Sequence, residues 1–144
     1  MKQKNFNNIA KEVIATEILS LKKLKRCFNK SFLSALEIIN KCNGKLILTG
    51  IGKSGLISRK ISATLSSTGT PSFYLHPSEA SHGDLGQITR QDVLLIFSYS
   101  GETEELRSII EYANRFSIKI IGVASKKDSL LLKATNVKII LGTQ

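Results

Sequence analysis

The clearest chemistry in the sequence lies in one glycine-rich segment, Gly50-Ile51-Gly52-Lys53-Ser54-Gly55. It follows the apolar run 46–48 and precedes a segment whose apolar residues recur at helical spacing. A strand, a glycine turn and a helix in that order direct free backbone N–H groups and the positive end of the helix dipole at one point. Because Lys53 adds a full positive charge, the segment predicts a site for a phosphate or another small anion.

Three other interpretations compete for these glycines. A nucleoside-triphosphate loop requires glycine five positions before Gly52, where this chain has Ile47. The dinucleotide fingerprint G-x-G-x-x-G is present, but it also requires an acidic residue about 20 positions later to hold the ribose. The first carboxylate of that region is Glu79, beyond the second predicted strand. A tight turn that binds nothing stays open, since glycines also serve close packing alone.

A second hydroxyl-rich segment, Ser98-Tyr99-Ser100-Gly101-Glu102-Thr103, follows the apolar run of another predicted strand. Its hydroxyls and the N-terminus of the next helix would form an anion site beside the first. Ordinary capping is the alternative, with Ser100 as N-cap and the acidic residues at 102–105 complementing the helix dipole. The two roles are compatible, because a cap that faces a pocket is also a donor.

Both histidines of the chain lie in residues 76–86. His76, His82 and Asp84 could ligate a metal, but their spacing matches no standard template, so no metal site is predicted. Either histidine could instead act as an acid–base group near neutral pH. For His76, at the end of a strand, a hydrogen bond that only shapes the loop is the alternative.

Hydrophobic patterning predicts the elements that must position these groups. The polar segment 77–90 is predicted as a long loop. Predicted helices cover 9–28, 31–41, 54–67, 102–116 and 128–134, and predicted strands cover 46–48, 72–76, 92–98, 118–124 and 137–141.

Alternation of strands and helices predicts an α/β fold, a three-layer sandwich around a doubly wound, five-stranded parallel sheet. We expect residues 1–44 to form an N-terminal helical segment of the same domain as the core, 45–144. Ligands of such sheets bind beyond the carboxyl ends of the strands, so the segments after the first three strands should converge on one site.

Composition restricts the classes of protein further. The 144 residues carry a net charge of +10, of which +7 falls in residues 1–45, away from the glycine segment. No interleaved aromatic residues accompany that charge, so a solvated helical face is favoured over a nucleic-acid or membrane partner. No apolar run reaches the ~18 residues of a membrane span, and residues 1–6 lack the apolar core of a signal peptide. Cys27 and Cys42 are expected to be free thiols in the cytoplasm.

These segments, taken in order, resemble the sugar isomerase (SIS) domain of D-arabinose-5-phosphate isomerases. The block Glu-Ala-Ser-His-Gly-Asp-Leu-Gly at 79–86 points to this isomerase among sugar-phosphate-binding domains. The resemblance covers nearly the whole chain. It implies interconversion of D-ribulose 5-phosphate and D-arabinose 5-phosphate on the way to lipopolysaccharide, a tetramer, and no organic cofactor.

The resemblance also implies which residues act. Lys53, His82 and Glu105 match three active-site positions of the family: a cation for the phosphate or the enediolate, a group that shuttles a proton or opens the sugar ring, and a candidate base open to partial burial. From the residues alone, an exposed glutamate in the first turn of the helix is the favoured alternative for Glu105. Tyr99 departs from the family, which usually has asparagine there. The positions that match the phosphate- and sugar-binding group are Gly52, Ser54, Ser98, Ser100 and Thr103.

The family continues beyond the fifth strand with a loop, a long helix and a further active-site histidine, so the core is expected to be incomplete at its C-terminus. Two alternatives to an active isomerase therefore stay open. The chain could be a non-catalytic sugar-phosphate-binding module, or a truncated isomerase without activity.

Overall fold

The computed structural model describes residues 5–142. Residues 1–4, on which the signal-peptide prediction partly rests, and residues 143–144 lie outside the described part. The helices are α1 (Phe6–Leu24), α2 (Lys30–Asn40), α3 (Lys53–Ser67), α4 (Pro77–Ala80), α5 (Arg107–Arg115) and α6 (Leu130–Lys133). The strands are β1 (Leu46–Thr49), β2 (Ser72–Leu75), β3 (Val93–Phe97), β4 (Lys119–Ala124) and β5 (Val137–Ile140).

The five strands form one parallel sheet in the order β2-β1-β3-β4-β5. In the register, Thr49 at the end of β1 is paired with Leu75 of β2 and Ile96 of β3. The chain winds in opposite directions on the two sides of β1 and β3, which makes their carboxyl ends the expected place for a ligand. The predicted convergence of the segments after the first three strands is confirmed.

Helices cover both faces of the sheet, which confirms the three-layer prediction. In β1, Ile47 belongs to the core cluster under α4, α5 and α6, whereas Leu46 and Leu48 belong to the cluster under α2 and α3. This alternation is the two-residue period of a strand with both faces buried.

The predicted loop at 77–90 and the predicted start of the helix after β3 were both wrong. The segment 77–90 contains α4 and a 3-10 turn at Asp84–Gln87, because Pro77 fits the first helical position and the His76 side chain caps it. The fifth helix begins at Arg107, after a 3-10 turn at Glu104–Leu106, and not at Glu102. A hydroxyl bridge and a glycine with φ 71° keep residues 98–103 out of the helix.

The N-terminal helices differ in how they pack. Residue Ala35 of α2 is buried against the sheet, but Leu36 of the same helix is 47% exposed. The predicted helix at 9–28 is present, yet α1 buries none of its residues in this chain. None of the helices within residues 5–142 combines the length and the apolar character needed to cross a membrane. Cys27 and Cys42 are both free thiols, as predicted.

Candidate functional site

The first turn, residues 50–55, connects β1 to α3. Gly52 has φ 57° and stands at the N-cap, so Lys53 is the first residue of α3 and not part of the turn itself. Within the described residues, the amides of Lys53 and Ser54 donate to no protein acceptor. These amides and the exposed Lys53 side chain stand at the carboxyl end of the sheet, where a helix N-terminus attracts an anion.

Close backbone packing fixes this turn. A Cβ atom on Gly55 would lie 2.7 Å from the Gly50 oxygen and 2.9 Å from the Tyr74 hydroxyl oxygen. The Tyr74 hydroxyl donates to the Gly50 oxygen at 2.8 Å, and the Ser58 hydroxyl donates to the Ser54 oxygen at 2.8 Å. Gly50 and Gly55 therefore serve close packing, while the amides at the start of α3 stay free for a ligand.

The second turn, residues 98–103, is built from hydroxyl groups. The buried Ser98 Oγ lies 2.7 Å from Thr103 Oγ1 and accepts a hydrogen bond from the Gly101 amide at 3.0 Å. Two hydroxyl groups joined by one hydrogen bond use one of their two protons in that bond. The second proton has no acceptor among the described residues, so this pair can donate to an anion.

Ser100 and Tyr99 lie on the solvent side of the second turn. The Ser100 hydroxyl accepts from the Glu102 amide at 3.2 Å and so stabilises the turn. Ser100 is not the N-cap of the helical turn that follows, so its predicted capping role was wrong. The Tyr99 carbonyl oxygen accepts from both the amide and the hydroxyl of Ser125, at 2.8 and 2.7 Å. These bonds fix the Tyr99 backbone and leave its side chain 60% exposed beside the turn.

His82 and Glu105 lie at the same edge of the sheet, on the face covered by α4 and α5. Their neighbours Ser81 and Ser108 bring the two segments together through a contact of 3.2 Å between hydroxyl oxygens. Both His82 and Glu105 are exposed, which for Glu105 agrees with the alternative of an exposed glutamate near the start of the helix.

His76 has a different role. Its Nδ1 accepts from the Ser78 amide at 3.2 Å and thereby caps α4, which agrees with the structural alternative predicted for this residue.

The structure brings the two turns together because β1 and β3 are neighbours. A Cβ atom on Gly50 would lie 2.8 Å from the Phe97 oxygen, so the first turn touches the strand from which the second turn begins. Lys53 approaches from the face covered by α3, whereas His82 and Glu105 approach from the opposite face. We call residues 50–55 and 98–103 together the cradle.

Some charged side chains at and beside the cradle form ion pairs, and others do not. In the part of the chain that the structure describes, two ion pairs occur: Lys126 to Glu102 at 3.2 Å and Arg107 to Glu104 at 3.1 Å. Neither pair includes Lys53 or Glu105. Lys53 in the cradle and Glu105 just after it are thus in no ion pair among the described residues, so both are available to a ligand.

Within residues 5–142, no group of three or more His, Cys, Asp or Glu side chains is arranged to hold a metal ion. One cavity, of about 340 Å³, lies between α5 and α6 and reaches Gly101 and Thr103 of the cradle. A second, of about 540 Å³, is a groove along β2 that includes Arg59 and His76 and no residue of the cradle.

Sequence reasoning missed the residues that support the cradle. Tyr74 holds the first turn and Ser125 holds the second. Each has a signal that could have found it: Tyr74 lies on the face of β2 that packs on α3, and Ser125 is a hydroxyl residue directly after β4.

A family model described as "SIS domain" matches residues 38–144. The chain is 52% identical over 132 residues to an uncharacterised protein of Rickettsia prowazekii, covering 92% of this chain and 41% of that protein. It is 42% identical over 135 residues to arabinose 5-phosphate isomerase KdsD of Shigella flexneri, covering 94% of this chain and 41% of the enzyme. This chain therefore spans about two fifths of the length of these curated relatives.

Solved structures agree in fold. An E. coli CFT073 protein, c3406, in complex with arabinose 5-phosphate has a TM-score of 0.84 and 30% identity, covering 99% of this chain and 77% of that protein. A putative sugar-phosphate isomerase of Listeria monocytogenes has a TM-score of 0.87 and 25% identity, covering 99% of this chain and 76% of the other.

Proposed function

The chain belongs to the SIS domain family, and from that premise we propose that it is an aldose–ketose isomerase that interconverts D-ribulose 5-phosphate and D-arabinose 5-phosphate. One observation carries the proposal: two turns with free donors lie side by side at the carboxyl ends of β1 and β3, with Lys53 and Glu105 in no ion pair among the described residues. The similarity to arabinose 5-phosphate isomerases over nearly the whole chain supports it.

In the proposed mechanism, the phosphate of the substrate lies at the cradle. The amides of Lys53 and Ser54 and the proton left over on the Ser98–Thr103 pair donate to its oxygens. Gly52 leaves the approach open, since nothing lies within 4 Å of where its Cβ would be. Ser100 adds an exposed hydroxyl at the same edge.

Isomerisation moves one proton between adjacent carbons. A base takes a proton from C1 of the ketose, which leaves an enediolate, and the proton returns to C2 to give the aldose. The hydroxyl proton moves from one oxygen to the other to complete the exchange. Glu105 is the proposed base, His82 shuttles the oxygen-bound proton, and Lys53 offsets the negative charge of the phosphate or the enediolate.

A specific observation favours a second candidate, a sugar-phosphate-binding module without chemistry. Glu105 and His82 are both exposed, whereas catalytic acid–base groups usually sit in a desolvated site. Binding at the cradle needs neither side chain.

We further propose that the chain is a homo-oligomer and that residues 1–44 belong to the same domain as the core. The exposed apolar residues of α1 support an oligomer; Val13 is 52% exposed and Ile14 58%. The packing of α2 against the sheet through buried Ala35 supports the single domain.

The decisive experiment is to incubate the purified chain with D-ribulose 5-phosphate and follow the formation of D-arabinose 5-phosphate by NMR. Formation of the aldose that Glu105→Gln abolishes would support the enzyme. Saturable binding without conversion would favour the binding module, and neither binding nor conversion would contradict both.

A further inference from the structure

Thr49 carries a polar group that the fold does not explain. It is the last residue of β1, it is fully buried, and its Oγ1 has no hydrogen-bond partner among the described residues. Buried hydroxyls are nearly always paired, because an unpaired one loses its bonds to water without replacement. Valine has the same shape and would avoid that loss.

The position of Thr49 points to the cradle. Along β1 the side chains alternate, and Thr49 follows Ile47 onto the face covered by α4 and α5. This is the face on which His82 and Glu105 lie. Thr49 is also the residue immediately before the first turn.

The register relates Thr49 to the second turn as well. Thr49 pairs with Ile96, and Ser98 follows two residues later on the same face. The Ser98 amide donates to the Val123 oxygen at 3.1 Å, so the strand pairing continues as far as Ser98. Side chains of diagonal neighbours on one face of a sheet are close enough to interact. Thr49 and Ser98 are such neighbours, and each lies at the point where one of the two turns begins.

We propose that the Thr49 hydroxyl binds a hydroxyl group of the sugar chain and makes Thr49 a specificity-determining residue of the cradle. The inference rests on the proposed sugar-phosphate function. A threonine hydroxyl both donates and accepts, as a sugar hydroxyl does, and one rotation about χ1 redirects it. Because Oγ1 is closed to solvent in the protein without ligand, a sugar hydroxyl reaches it only when the side chains around the two turns move aside on binding. The phosphate itself lies with the amides and hydroxyls of the two turns.

The test compares Thr49→Val with Thr49→Ser by thermal unfolding, without ligand, with inorganic phosphate and with D-arabinose 5-phosphate. Thr49→Val keeps the shape and loses the hydroxyl, so it should unfold at the same temperature as the wild type or higher. The stabilisation by inorganic phosphate should be unchanged, while the apparent affinity for D-arabinose 5-phosphate should fall about tenfold. Thr49→Ser should retain the wild-type response to both ligands.

A matched control is Thr135→Val, which removes a buried hydroxyl that donates to the Leu132 oxygen and to no residue of the cradle. It should lower stability and leave both ligand responses unchanged. If Thr49→Val and the wild type respond equally to D-arabinose 5-phosphate, the inference about Thr49 is overturned while the proposed function stands. The same holds if Thr49→Val loses its response to inorganic phosphate as strongly as its response to D-arabinose 5-phosphate. If the wild type itself does not respond to D-arabinose 5-phosphate, the proposed function fails and this inference fails with it.

Discussion

The two turns of the cradle lie side by side, but different kinds of contact hold each of them in place. The first turn is fixed by close backbone contacts: a Cβ atom on Gly55 would lie 2.7 Å from the Gly50 oxygen, and one on Gly50 would lie 2.8 Å from the Phe97 oxygen. The second turn is fixed by side chains, through the Ser98–Thr103 pair and the two bonds from Ser125 to the Tyr99 oxygen. One presents free amides and a lysine, and the other presents hydroxyls followed by a free carboxylate.

The difference separates binding from chemistry. Amides at a helix N-terminus attract an anion wherever they occur, so the first turn accounts for the proposed binding of the phosphate and for no further step. A group that can take a proton from carbon follows only the second turn. We therefore expect changes in the first turn to affect affinity or folding, and changes after the second turn to affect turnover.

The largest effect is expected for Glu105→Gln, which tests whether the carboxylate after the second turn is the base of the reaction. The amide keeps the shape but cannot accept the proton, so turnover should fall about 10²–10⁴-fold with affinity nearly unchanged. Steady-state kinetics and thermal shift with D-arabinose 5-phosphate measure the two. Glu104→Gln is the matched control, since Glu104 is paired with Arg107. If Glu105→Gln turns over at the wild-type rate, the base lies elsewhere.

Lys53→Ala tests the binding half. The side chain is exposed at the start of α3, so the fold should remain intact while the affinity for the sugar phosphate falls about 10–100-fold through loss of a charge-assisted bond. Ligand-induced thermal shift measures the change, with Lys60→Ala, later on the same helix, as control. Equal stabilisation of the Lys53→Ala variant and the wild type would remove Lys53 from the site.

Gly55→Ala tests whether close packing builds the first turn. The added methyl group would lie 2.7 Å from the Gly50 oxygen, which must then move. Such overpacking should lower the free energy of unfolding by about 1–3 kcal/mol, measured in urea. Gly86→Ala is the control, because nothing lies within 4 Å of its Cβ position. Equal stability of the two variants would contradict the packing argument.

The smallest effect is expected where the second turn loses one hydroxyl. Ser98→Ala removes the shorter bond of the Gly101 amide, which keeps its bond to the Ser98 carbonyl oxygen at 3.2 Å, and it removes the partner of the Thr103 hydroxyl. This loss should cost about 1–2 kcal/mol of unfolding free energy. Ser100→Ala should cost less, about 0.5–1 kcal/mol, because Ser100 and its partner amide are near solvent. Urea unfolding of both variants measures the order, and the reverse order would show that the inner hydroxyl pair does not fix the turn.

The sheet and the site were predictable to different degrees. Continuous apolar runs and glycine turns predicted all five strands and the α/β class, since a strand buried on both faces has few other patterns. The start of α5 at Arg107 was missed, because the bond between Ser98 and Thr103 that delays it joins residues five apart and has no periodic signal. The unpaired hydroxyl of Thr49 could not be predicted either, because pairing depends on which side chains surround the end of β1 in the fold.

The exposure of α1 shows a further limit. Its apolar spacing correctly predicted a helix, but periodicity does not reveal what the apolar side packs against. A helix that buries nothing in its own chain has the same pattern as one that covers a core.

The central claim is that both turns together bind the phosphate of a sugar phosphate. A titration of the ¹⁵N-labelled chain with D-arabinose 5-phosphate, followed by amide chemical shifts, tests it most directly. We predict saturable shifts that are largest in residues 50–55 and 98–103, with one dissociation constant for both segments. Shifts confined to one turn, or centred on the groove around Arg59 and His76, would contradict the claim.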